Sequence, residues 1–85
     1  MTLEELVAKY VQNTERVFTK IKTTQGSMTI EKEKIDNVVQ TARQYLEDAK
    51  YYRDKRKLET SLASVAYCEG LLDALRLLGV IEFSW

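Results

Sequence analysis

Tyr45-Leu46-Glu47-Asp48-Ala49-Lys50-Tyr51-Tyr52-Arg53-Asp54-Lys55-Arg56-Lys57-Leu58-Glu59-Thr60-Ser61-Leu62 is the stretch whose reading decides the fold of this chain. Upstream of its centre, apolar or small residues recur at Ile35, Val38, Val39, Ala42, Tyr45, Leu46, Ala49 and Tyr52, the spacing of one helix face. Downstream, Leu58, Leu62, Val65, Cys68, Leu71, Leu72, Leu75 and Leu78 continue at helical spacing. Between them lie only a few charged residues. Two long helices joined by so short a turn are antiparallel neighbours. Lys50, Arg53, Lys55, Arg56 and Lys57 cluster where the first of these helices ends, and there its dipole favours cations.

A third helix precedes this pair. Leu3, Leu6, Val7, Tyr10, Val11, Thr14, Val17, Phe18 and Ile21 form one apolar stripe. Thr2 with Glu5 matches a capping box, in which side chains satisfy free amides of the first turn. Thr23-Thr24-Gln25-Gly26-Ser27 reads as a loop, and Thr29 as the N-cap of the next helix, with Glu31 and Glu33 near its positive end. Gly79 stands where a left-handed residue would end the last helix. The chain has no proline and three glycines, so little interrupts long helices. The expectation is one domain, residues 1–85, with helices over about 3–23, 30–54 and 58–78. The fold class is all-α: an antiparallel up-down-up three-helix bundle with a short apolar C-terminal tail, Val80-Ile81-Glu82-Phe83-Ser84-Trp85.

Thirteen Lys and Arg balance thirteen Asp and Glu, which argues against a dedicated nucleic-acid or anionic-membrane protein. Cys68 is the only cysteine and there is no histidine, so an internal disulfide and a cysteine zinc site are excluded and the usual transition-metal ligands are nearly absent. The Thr-Leu-Glu-Glu start is unlike a signal peptide, and no apolar run is long enough to span a membrane. A cytoplasmic protein without a cofactor is the expectation.

Ser64-Val65-Ala66-Tyr67-Cys68-Glu69-Gly70-Leu71-Leu72-Asp73-Ala74-Leu75-Arg76-Leu77-Leu78-Gly79 resembles the signature of an uncharacterised, mainly archaeal family, domain of unknown function 357. Ala42, Tyr45, Asp48, Ala49 and Tyr52 fit the family's second helix. The resemblance is good from about Ile35 to Gly79 and covers the first helix by pattern only. Arg56-Lys57 departs from it, because similar domains tend to look Gly-Asp-like at that turn. The resemblance implies a small three-helix bundle and no assigned activity. It also implies an association of similar domains with nucleotidyltransferase-like domains.

Asp48, Glu69, Asp73 and Arg76 form a candidate polar cluster. Glu69, Asp73 and Arg76 share one stripe, and carboxylates facing Asp48 between helices could hold Mg²⁺ or act as acid and base. The structural reading, a salt-bridge stripe around Arg76, is preferred, since helical carboxylate sites normally add further carboxylates or histidine. Gly70 is costly inside a helix, and with Ala63, Tyr67 and Ala74 it reads as a site of close helix approach, a tyrosine of the second helix lying over the gap. Lys50, Arg53, Lys55, Arg56 and Lys57 beside Tyr51 and Tyr52 are either a basic-aromatic patch for RNA or dipole compensation at a solvated turn. Cys68 reads as a core side chain.

The functional expectation is a non-enzymatic protein-interaction or assembly module. An accessory nucleotide- or RNA-binding domain is the alternative, and a carboxylate metal site ranks last. Apolar residues of the third helix sweep more of its circumference than a bundle-facing stripe needs. Leu71, Leu75 and Leu78, with Phe83 and Trp85 of the tail, are therefore the candidate interface of a homodimer or for another protein. The competing reading has the tail fold back over that face.

Overall fold

The computed structural model describes residues 1–23 and 28–85. Three helices carry the fold: α1 (Leu3–Lys20), α2 (Lys32–Asp54) and α3 (Leu58–Leu77). Among the described residues there is no strand, so the class is all-α, as the periodicity predicts. Of the expected loop at Thr23–Ser27, residues 24–27 lie outside the described residues.

The helix ends follow local chemistry. Thr2 caps α1, its Oγ1 accepting the Glu5 amide at 3.1 Å while its hydroxyl donates to the Glu5 carboxylate at 3.1 Å. α1 ends at Lys20, earlier than its stripe predicts, because Ile21 is already extended (ψ 134°). Thr29 is not the cap of α2. The amides of Lys34 and Ile35 donate to the Glu31 carbonyl at 3.0 and 3.2 Å, so the first turn is laid from Glu31, which offers no side-chain cap.

α2 and α3 end in the same motif with different residues. At α3, the Gly79 amide donates to the Arg76 carbonyl and the Val80 amide to that of Leu75 (2.9 and 3.1 Å), with Gly79 left-handed at φ 77°. This is a Schellman cap, and glycine suits it because no Cβ opposes the positive φ. At α2, the Arg56 amide donates to Arg53 and the Lys57 amide to Tyr52 (3.0 and 2.8 Å), and the left-handed residue is Arg56 at φ 62°. A Cβ there costs roughly 1–2 kcal/mol. The left-handed position is thus filled by a glycine at the end of α3 and by an arginine, strained into it, at the end of α2.

Arg56→Gly should therefore stabilise the chain by about 1 kcal/mol, a rise in Tm of roughly 4–8 °C. Arg56→Ala, which removes the charge but keeps the Cβ, should gain almost nothing. Gly79→Ala should lose about 1 kcal/mol. Thermal unfolding followed by circular dichroism separates the three. A gain from Arg56→Ala equal to that from Arg56→Gly would mean charge, not backbone strain, sets the effect.

α2 and α3 form the packed pair. The Ser61 hydroxyl donates to the Ala49 carbonyl at 2.7 Å, the Tyr45 and Tyr67 rings lie 4.5 Å apart, and Val39 and Ala42 share a small cleft with Cys68 and Leu72. The partners ascend along one helix as they descend along the other, so the pair is antiparallel. Its buried residues are Ala42, Ala49, Cys68 and Leu75. Three of the four are small, which lets the backbones approach closely.

α1 stands apart from this pair. Among the described residues no Cα of α1 comes within 8 Å of one in α2 or α3. The radius of gyration is 15.7 Å, where a compact domain of this length has about 12 Å. The exposed surface is 7630 Å², where a compact monomer of this mass exposes about 5200 Å². None of the residues in α1 is buried.

Candidate interaction surface

The polar cluster divides into separate parts. Asp73 accepts from Arg76 Nη2 at 2.7 Å and Nε at 3.1 Å, and from the Trp85 indole at 3.3 Å. The Arg76 hydrogen bonds, then that of Trp85, hold the Asp73 carboxyl below its ordinary range. Glu69 is exposed and takes no part in the Arg76 pair. Asp48 accepts from Gln44 on its own helix at 3.1 Å. The antiparallel register places Asp48 beside the Ser61 end of α3, and Asp73 about 15 Å away along the axis. Among the described residues no three carboxylates or thiols gather as they would around a metal ion. Burial first, and the Glu69 charge second, push the Cys68 thiol above its ordinary value.

The basic turn is partly neutralised by its neighbours. Lys50 pairs with Glu47 and Arg53 with Asp54, both at 3.2 Å, and Lys55 lies 5.6 Å from the centre of the Tyr51 ring. Arg56 occupies the strained cap, and Lys57 precedes α3. Tyr51 and Tyr52 pack edge to face on each other, 5.3 Å between centres.

The tail returns along α3. Gly79 reverses the chain, Phe83 packs edge to face on Trp85 at 4.9 Å, and the Arg76 guanidinium sits 5.8 Å from the Phe83 ring. This places the tail against the Asp73–Arg76 strip. Of the candidate interface, Leu75 is buried within the chain and Leu71 and Phe83 are half-buried, while Leu78 and Trp85 remain exposed. Leu75, read above as part of the candidate interface, is instead core: it lies two turns beyond Cys68, on the stripe that faces α2. Gly70 also departs from expectation. A Cβ built there would meet nothing within 4 Å, and Ala63, Tyr67 and Ala74 are exposed with it. Tyr45 does lie over Tyr67, but no helix approaches closely at the glycine.

An apolar stripe that the three-helix expectation would place in the core lies without cover. Leu3, Val7, Tyr10, Val11, Val17 and Phe18 are all exposed along α1, Phe18 to 72%, and so is Ile21 just past its end. Leu3, Leu6 and Tyr10 border an open cleft of about 620 Å³ whose other wall carries Tyr45, Ala63 and Tyr67. A one-sided stripe shows in sequence that it needs cover, and nothing in its pattern says whose. Among the described residues no helix is long and apolar enough to cross a membrane.

The family model described as "Protein of unknown function (DUF357)" matches residues 9–81. The match takes in most of α1, all of α2 and α3, and the start of the tail. No curated protein and no solved structure matches the chain.

Proposed function

We propose that this chain, which belongs to the family described as protein of unknown function DUF357, is a non-enzymatic assembly module that offers helix α1 to another protein surface. The observation that carries this is the missing cover of α1. The chain exposes 7630 Å², about 2400 Å² more than a compact monomer of its mass. Leu3, Val7, Tyr10, Val11, Val17 and Phe18 lie exposed on one stripe of α1, and an uncovered apolar stripe of this kind marks an interface. The nucleic-acid reading is supported less well, because Lys50, Arg53 and Lys55 of the basic turn already have local partners.

Amide hydrogen exchange tests the reading. At a dilution where light scattering reports a monomer, the α1 amides should exchange far faster than those around Cys68 and Leu75. Backbone bonds without packed side chains open at little cost. A monomer whose α1 is protected as strongly as α2 and α3 would make α1 part of its own core and remove the module.

A further inference from the structure

We propose that residues 80–85 form a strap that hinges at Gly79 and is held on α3 by the Asp73 carboxylate, and that the strap opens when this carboxylate loses its charge. Its two ends are held differently. At the hinge the backbone fixes it, the Gly79 amide donating to the Arg76 carbonyl and the Val80 amide to that of Leu75. Over residues 81–85 no main-chain hydrogen bond ties it down among the described residues. Side chains hold what the backbone does not.

Those side chains close a ring of four contacts. The Trp85 indole donates to Asp73 Oδ1 at 3.3 Å, and the Arg76 guanidinium donates to the same oxygen at 2.7 and 3.1 Å. The guanidinium lies 5.8 Å from the centre of the Phe83 ring, close enough for attraction to the ring face. Phe83 in turn meets Trp85 edge to face at 4.9 Å, an arrangement that aromatic pairs favour. Two members of the ring stand on α3 and two on the strap. With the ring closed, Val80, Ile81 and Phe83 are half-buried.

The ring depends on charge at Asp73. Three donor hydrogens converge on one oxygen, and bonds to an ionised carboxylate are roughly twice as strong as neutral ones. A protonated Asp73 brings a hydrogen of its own and no longer attracts the guanidinium that Phe83 packs on. The Arg76 and Trp85 bonds hold the carboxyl below its ordinary range. Such a group contributes stability above its ordinary value and loses it as pH falls through the lowered one. Arg76 is the charge that acts on Asp73. Glu69 on α3 and Glu82 on the strap are both exposed. The ion pairs of α2, Lys32 with Asp36, Glu47 with Lys50 and Arg53 with Asp54, all lie within that helix.

The opposing possibility is that burial of Val80, Ile81 and Phe83 alone holds the strap, with Asp73 a bystander. Trp85 argues against it. The residue is 68% exposed, so apolar burial does little to draw it in. Its indole nevertheless returns to a carboxylate twelve residues back in the sequence.

Nuclear magnetic resonance tests the strap directly. Trp85 is the only tryptophan, so the chain has a single indole N–H resonance, and its proton is the one bonded to Asp73. The quantity read is the displacement of this resonance from that of a free peptide of residues 79–85 at the same pH. At neutral pH the parent should show a clear displacement. On acid titration the displacement should vanish, with a midpoint below the ordinary carboxyl value, while the α3 amides around Cys68 keep their native positions. Asp73→Asn should abolish the displacement already at neutral pH, again with the α3 amides in place. The Asp73 side chain is 42% exposed, so the variant keeps its core, and the titration of the parent needs no variant at all. A parent without displacement at neutral pH, or an Asp73→Asn variant displaced as much as the parent, would overturn the strap. So would a displacement that persists in acid until the α3 amides themselves shift.

Discussion

Leu75→Ala should lower the unfolding free energy by roughly 2–5 kcal/mol, enough to leave much of the chain unfolded at physiological temperature. Leu75 is 6% exposed and, among the described residues, is the only large side chain of the four that are buried, the others being Ala42, Ala49 and Cys68. Deleting it removes the transfer energy of its methyl groups and leaves a cavity between two helices that small residues hold close together. Its carbonyl also accepts the Val80 amide, so the side chain sits where the Schellman cap fixes the start of the tail. The matched control is two residues away. Leu77 is 75% exposed, and Leu77→Ala should change stability by no more than about 0.5 kcal/mol. Urea unfolding of the two variants measures the contrast. Equal effects would mean that α3 turns a different face to α2.

That contrast marks the limit of what the sequence discloses. The caps at Thr2 and Gly79 were legible because each depends on one residue and the few that follow it. The α2–α3 hairpin was legible because a turn as short as Lys55–Lys57 leaves two long helices no other course. The orientation of α3 was not legible. Apolar residues occupy so much of its circumference that periodicity alone cannot separate buried Leu75 from exposed Leu77 and Leu78. Thr29 failed as a cap because Ile30, the apolar residue it was read to introduce, lies outside the helix, whose first turn is laid from the Glu31 carbonyl. The polar cluster was legible in part: Arg76 pairs with Asp73, as the salt-bridge reading has it, but not with Glu69. Asp48, Glu69 and Asp73 fall on helical faces that look compatible, but antiparallel register separates Asp48 from Asp73 lengthwise, and register depends on the turn. For α1 the pattern showed a stripe in need of cover and could not name the surface that supplies it.

Ala49→Leu should cost about 2–4 kcal/mol, and most of the reason lies across the helix pair at Ser61. Ala49 is buried on α2, and its carbonyl accepts the Ser61 hydroxyl at 2.7 Å in a partly buried setting. Added methylenes in a space sized for a methyl group force the helices apart or the new side chain off its rotamer, at about 1–3 kcal/mol. Separation also breaks the hydrogen bond, worth about 1 kcal/mol. Ser61→Ala alone should cost only that last amount. The two effects share a cause, so they should not add. In a double-mutant cycle, Ala49→Leu with Ser61→Ala should cost about 1 kcal/mol less than the sum of the singles, because the first change has already lost the bond that the second removes. Strict additivity in urea unfolding would show that the leucine is accommodated with the bond intact. In that case the close approach of α2 and α3 would not be held at the Ala49–Ser61 contact.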